Sequence, residues 1–119
     1  MVLAITNCTQ SCGKWQLSIA FCQQKLDLKN YIFETVERYK PNCQAWDVVN
    51  EAIDYRGKVR KSIWSQIEHH IPKCFLWAHE ADPEAELLYC DYRLHILQKR
   101  KAMIKVVKEF RENNIPLCC

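Results

Sequence analysis

Apolar residues recur at Leu28, Ile32, Val36 and Tyr39, with Phe33 beside them. That spacing predicts a helix with one buried face. Asp27 precedes it as an N-cap, and Glu34 and Arg38 make an i,i+4 pair on the exposed side. Pro41 ends the helix and Asn42 follows as a turn residue. The pattern then changes. Residues 45–52 read Ala-Trp-Asp-Val-Val-Asn-Glu-Ala, a short run with an aromatic and two β-branched residues, which predicts a buried strand with Trp46 in the core. A loop over 53–58 follows, with Gly57 as its positive-φ residue. Ile63, Trp64 and Ile67 predict a short helix over 62–69. Pro72 suits the first turn of another helix, which Phe75, Leu76 and Ala78 carry to about Ala81. Asp82-Pro83 marks a turn, and Leu87-Leu88-Tyr89-Cys90 is a second strand. After a loop over 91–95 comes a helix from Leu97 to Glu112, with Met103, Val106, Val107 and Phe110 inward. Residues 115–119 read as the start of a third strand. Residues 1–25 show no such periodicity and are read as a weakly ordered segment.

This alternation of helix and strand with short connections predicts an α/β fold with parallel strands and right-handed crossovers. It also draws attention to the end of the first strand. An amide and a carboxylate, Asn50 and Glu51, close an apolar run. An ionised group at a core edge is costly unless it is paired. The same placement suits a catalytic carboxylate at the C-terminal end of a parallel strand. The plainer reading is an edge strand whose Glu51 is solvated.

The residues around that strand carry a resemblance. Tyr39-Lys40, Ala45-Trp46-Asp47-Val48-Val49-Asn50-Glu51-Ala52, Ala81-Asp82-Pro83-Glu84-Ala85 and Leu88-Tyr89-Cys90-Asp91-Tyr92 resemble, in order and spacing, glycoside hydrolase family 10, the endo-1,4-β-xylanases. The resemblance covers roughly residues 26–116 and leaves 1–25 as a poorly matching segment. It implies a fragment of a (β/α)8 TIM barrel around strands 4 and 5 with their helices, plus the start of strand 6. A complete barrel typically needs about 250 residues, and the chain has 119.

Glu51 matches the family's general acid/base, a carboxylic acid that protonates the leaving oxygen and later activates water. Its pKa must be raised for that work. Asn50 matches the residue that hydrogen-bonds the sugar 2-hydroxyl. Strict alternation sends Asn50 and Glu51 to opposite faces, so the strand must bend or finish there for both to reach one sugar. Asp47 falls on the Glu51 side in that alternation, either as an electrostatic neighbour or in a hydrogen-bonding role. Asp91 and Tyr92 match part of the family's Asn-Asp-Tyr-Asn stretch and are expected to bind substrate, Tyr92 by stacking. Cys90 and Arg93 replace its two Asn residues. A retaining mechanism also needs a second carboxylate about 5–5.5 Å from the first. The family's Thr-Glu-Leu-Asp-type motif, which supplies that nucleophile, does not occur in these 119 residues, nor does the family's upstream Trp-His motif; Trp15 stands alone.

Composition narrows the rest. A net charge of +3, from 17 basic and 14 acidic residues, implies neither nucleic acid nor membrane as a partner. Lys99, Arg100, Lys101, Lys105, Lys108 and Arg111 gather on one helix without interleaved aromatics, and are read as a solvated outer face. No apolar run approaches a membrane span, and the N-terminal stretch lacks a basic region with a signal-length apolar core. Expressed as given, the chain is expected in the cytoplasm. Its eight cysteines form no C-x-x-C pair, and Cys43 and Cys74 read as buried thiols. Adjacent His69 and His70 do not share a helix face, so no metal is expected there, and His95 reads as a solvated loop residue. No cofactor is implied. The expected partner is xylan or a related β-1,4-linked polysaccharide, with a complementary barrel fragment as a further one. The other readings are a non-catalytic carbohydrate-binding remnant and an inactive truncated product.

Overall fold

The computed structural model describes residues 17–118. Its elements are α1 (Leu17–Tyr39), β1 (Ala45–Asn50), α2 (His70–Ala81), β2 (Glu86–Cys90) and α3 (Leu97–Glu112). Short 3-10 turns lie at Lys40–Asn42 and Trp64–Gln66. β1 and β2 pair in parallel, α2 connects them and packs on both, and α1 lies along α2.

The apolar spacing of α1 holds for Leu28, Ile32 and Val36, which are fully buried, whereas Tyr39 at the helix end is exposed. The helix starts at Leu17, ten residues before the expected cap at Asp27. Asp27 lies in the helix interior, where its carboxylate accepts a 2.7 Å bond from Gln23 Nε2 one turn back. This i,i+4 amide–carboxylate pair lets an Asp be tolerated mid-helix, and no Gly or Pro interrupts residues 17–39. Pro41 then stops it, as expected.

The short helix expected over 62–69 is only the 3-10 turn Trp64–Gln66. The two serines explain the difference. Ser62 and Ser65 exchange backbone-to-hydroxyl bonds of 3.0 and 3.1 Å, and Ser65 Oγ donates to Ser62 O at 2.8 Å. Hydroxyls that capture nearby backbone groups compete with helix propagation.

The core forms where α2 covers the sheet. Trp46, Val48, Val49, Cys74, Phe75, Ala78 and Leu87 are buried together, and Phe75 meets Phe110 of α3 edge-on at 5.0 Å. Burial pushes the Cys74 thiol up to about 12. Cys43, also expected to be buried, is only half-buried. At the N-terminal end of β1, Trp46 Nε1 donates to the buried Asp82 at 3.4 Å, and Lys40 pairs with the same carboxylate at 3.6 Å. Of the four residues expected to face inward from α3, Phe110 is buried, while Met103, Val106 and Val107 are half-buried. The third strand expected at 115–119 is not formed as an element among the described residues. Asn114 turns the chain with φ 52°, and Cys118 makes one strand-like bond, N–H to Leu87 O at 2.8 Å.

Candidate active site at the strand ends

The chemistry-bearing residues gather at the C-terminal ends of β1 and β2. Two backbone features put them there. The first is a bulge: Asp47 pairs with Leu88, Val49 with Tyr89 and Asn50 with Cys90, so Val48 is an extra residue on β1. A bulge shifts the alternation by one. Val48 and Val49 are consequently both buried, while Asp47 and Asn50 share the half-exposed face. Asp47 is therefore not placed by the simple alternation that put it on the Glu51 side. Its Oδ1 lies 2.9 Å from Cys90 Sγ, a bond that raises the Cys90 thiol above its ordinary value.

The second feature is Glu51 itself, which adopts the left-handed region at φ 53°. Its N–H donates to Cys90 O at 2.8 Å, so the residue is anchored to β2 as the strand stops. Strain of this kind in a non-glycine residue persists only where the surroundings fix it, and it concentrates at functional positions. The required break between Asn50 and Glu51 is thus present. Both side chains are half-exposed at the strand end.

The loop after β1 is a tight hairpin. Ile53 bridges Val59, Asp54 N–H donates to Lys58 O, and Asp54 Oδ1 accepts from the N–H groups of Arg56 and Lys58 at 2.8 and 2.9 Å. The Lys58 amide, and secondarily that of Arg56, hold the Asp54 carboxyl below its ordinary value. Gly57 turns the tip with φ 76°, and a Cβ there would lie 2.8 Å from Gln98 O. The hairpin thus rests directly on the start of α3.

That contact brings the two strand-end loops together. Tyr55 and Tyr92 meet edge-on, 6.3 Å between centroids, with their hydroxyls 2.9 Å apart. Arg60 Nη2 donates to Tyr92 Oη at 3.3 Å. The Tyr55–Tyr92 bond and then that from Arg60 lower the Tyr92 phenol, while the same Tyr55–Tyr92 bond raises that of Tyr55. Either hydroxyl can donate in this pair. The Glu51 charge acts on both Arg60 and Tyr92.

Beneath Tyr92 lies a buried ion pair. Lys99 is 0 % exposed, its Nζ is 2.5 Å from Asp91 Oδ1, and the Asp91 side chain is 1 % exposed. The same ammonium lies 4.2 Å from the Tyr92 centroid, a cation–π distance. Asp91 also accepts from the Tyr92 N–H at 2.8 Å and from the Tyr89 hydroxyl at 3.2 Å, while Tyr89 Oη accepts from Ala52 N–H at 3.1 Å. Burial, then the Asp91 charge, raises the Tyr89 phenol. Asp91 is thus enclosed by the paired Lys99 ammonium and by two donors from its own loop and strand. Lys99, expected on a solvated face, is buried because Asp91 lies under the same loop and neutralises it; the other basic residues of α3 with a described exposure are outward.

Tyr55, Arg60, Tyr89 and Lys99 were missed from the sequence. Periodicity is silent on loop residues, and Gly57 marked a positive-φ position without indicating what the loop would meet. His69 lies at the start of α2 with φ 53° and makes no side-chain cap. Among the described residues no group of three or more His, Cys, Asp or Glu is placed to hold a metal ion, and no helix is long and apolar enough to cross a membrane. A pocket of about 290 Å³ between α2 and α3 includes Ile67, His70, Val106 and Phe110 but none of the strand-end residues.

Known proteins share this sequence pattern and fold. The model of Glycosyl hydrolase family 10 matches residues 8–119. An endo-1,4-beta-xylanase of Geobacillus stearothermophilus is 43% identical over 94 residues, covering 76% of this chain and 28% of the relative. A beta-1,4-xylanase of Dictyoglomus thermophilum is also 43% identical, over 76% of this chain and 27% of its own length. Among solved structures, a GH10 endoxylanase retrieved from a sugarcane soil metagenome superposes with a TM-score of 0.78 at 36% identity, over 88% of this chain and 32% of the neighbour. Xylanase 10B from Thermotoga petrophila RKU-1, in complex with xylobiose, gives the same TM-score at 32% identity and the same coverage of both chains. The chain spans less than a third of the length of these relatives, and its parallel strands and helices are a piece of their (β/α)8 barrel. By its sequence and by its fold, the chain belongs to glycosyl hydrolase family 10.

Proposed function

We propose that these residues form the acid/base side of the cleft of a retaining endo-1,4-β-xylanase acting on xylan. The observation that carries the reading is the break at Asn50–Glu51. A strand that ends in a left-handed glutamate, anchored to the neighbouring strand, sets a carboxyl group at the mouth of a barrel. There Glu51 serves as general acid toward the glycosidic oxygen and as general base toward water in the second step. Asn50, beside it on the open face, contacts the sugar. Tyr92 offers a ring for a further sugar, steadied by Lys99 below and Tyr55 at its edge. We assign Asp91 an indirect part, since its oxygens are engaged by Lys99, Tyr89 and the Tyr92 amide.

The nucleophile is not among these 119 residues in this reading. Removing one member of a cooperating pair removes most of the rate enhancement, so the chain binds xylo-oligosaccharides without cleaving them. The test is a titration of the purified chain with xylotetraose, followed by amide resonances and by product analysis. Shifts at Asn50, Glu51 and Tyr92, unchanged affinity in Glu51→Gln and no release of shorter sugars support the proposal. Hydrolysis that disappears in Glu51→Gln would contradict the absence of a nucleophile.

A further inference from the structure

The loop at the end of β2 departs from the family where the last Asn of Asn-Asp-Tyr-Asn is replaced by Arg93. Arg93 keeps a backbone that suits Asn, with φ 56° in the left-handed region, and an arginine there is strained. Its side chain is laid across the aromatic pair, with the guanidinium 5.6 Å from the centroids of both Tyr55 and Tyr92 and Nη1 3.4 Å from Tyr55 Oη. The guanidinium carries five N–H donors in a fixed fork, and only one of them meets that hydroxyl.

Arg60 approaches the same ring pair. It bonds Tyr92 Oη, lies 5.9 Å from the Tyr55 centroid, and its Nε is buried without a hydrogen-bond partner among the described residues. Neither arginine is held in an ion pair among the described residues, although the Glu51 charge acts on Arg60 from beyond ion-pair distance. Asp91 is held by Lys99, Asp54 accepts from loop amides, and no ion pair involves Arg60 or Arg93 among the described residues. Two guanidiniums outside any ion pair, beside the exposed Tyr55 and the half-buried Tyr92, have the chemistry to take a carboxylate attached to a sugar: the fork matches the carboxylate and the ring matches the pyranose face.

We propose that Arg93, with Arg60 beside it, forms a carboxylate-binding subsite that favours uronate-substituted stretches of the polysaccharide over unsubstituted ones. The proposal rests on the reading of this cleft as a xylan site and adds the substituent it selects.

The test is calorimetric titration of the purified chain with three ligands in 20 mM salt: xylotetraose, xylotetraose bearing one glucuronic acid, and free glucuronate. The acidic oligosaccharide is expected to bind about three- to fivefold more tightly than the neutral one, the range of a partly exposed ion pair. That advantage shrinks in 500 mM salt and disappears in Arg93→Asn, which removes the strain at this backbone position and should melt no lower than the parent. Equal affinity for the two oligosaccharides, or an advantage that survives Arg93→Asn, overturns the subsite and leaves the xylan reading standing. Free glucuronate binding as tightly as the acidic oligosaccharide overturns it as well, in favour of a general anion site. Failure of both oligosaccharides to bind overturns both readings.

Discussion

Replacing Lys99 with Met removes one charge from a pair that has no water around it. Lys99 is 0 % exposed and the Asp91 side chain 1 %, with 2.5 Å between Nζ and Oδ1. Removing one partner of a buried pair typically costs about 3–5 kcal/mol, because the other charge stays buried and uncompensated. Asp91 keeps two donors, the Tyr92 amide and the Tyr89 hydroxyl, and Met fills much of the space of the lysine stem. The expected cost is therefore near the lower bound, about 3 kcal/mol. That is a large share of the roughly 5–15 kcal/mol that holds a typical domain together. Asp91→Asn leaves Lys99 as the orphan charge and should cost about the same. The double variant has neither charge, so its loss should be well below the sum, with a coupling of about 3 kcal/mol. Urea unfolding followed by fluorescence of the buried Trp46 and Trp77 measures all three. If Lys99→Met alone does not fold, recovery of a cooperative transition in the double variant reports the same coupling. A cost below about 1 kcal/mol for Lys99→Met, or strict additivity, would refute the buried pair.

Three further outcomes follow from the geometry. Gly57→Ala meets both a positive φ and a backbone oxygen 2.8 Å away; it should lower stability by about 1–2 kcal/mol by urea unfolding and perturb the Tyr55 ring resonances. Cys74, raised from 9.0 to about 12, is neutral in the fold and ionises more readily when unfolded; this raised group stabilises below pH 9 and loses that contribution up to about pH 12. Unfolding free energy should fall by about 1.4 kcal/mol per pH unit from this thiol in that window, and Cys74→Ala should flatten the slope. Tyr92, lowered by its bonds with Tyr55 and Arg60, should ionise early on alkaline titration at 295 nm; Tyr92→Phe should delete that early step, and an unchanged curve would reject the effect of these two partners on the Tyr92 phenol.

The helices and strands were legible because burial writes a period into the chain. Leu28, Ile32 and Val36 are the clearest case, and the strand at Trp46 to Asn50 and the turn at Gly57 are others. Where a side chain satisfies itself locally the pattern misleads. Ser62 and Ser65 replace a helix with a turn, and Gln23 with Asp27 carries a helix through its expected start. The bulge could not be read, since Val48 and Val49 fit either face. Glu51 and Asn50 stood out because a polar pair ends an apolar run. Lys99 did not, because a lysine on a basic helix looks solvated until Asp91 is placed beneath the same loop. The Tyr55–Arg60–Tyr92–Arg93 cluster comes from two loops separated by more than thirty residues, a distance no local pattern spans.

The most direct test of the central claim asks whether Glu51 acts as the acid/base when the rest of a barrel is supplied. Residues 26–118 would replace the matching segment of the Geobacillus stearothermophilus endo-1,4-beta-xylanase, to which this chain is 43% identical over 94 residues. Turnover of xylan and of an aryl xyloside with an acidic phenol leaving group would then be compared with and without Glu51→Ala. A proton-donor role predicts that xylan turnover falls about 10²–10⁴-fold. Cleavage of the activated aryl bond, which needs no proton, should fall far less, and added azide should restore the second step. Equal losses on both substrates, or no loss on xylan, would contradict the assignment of Glu51.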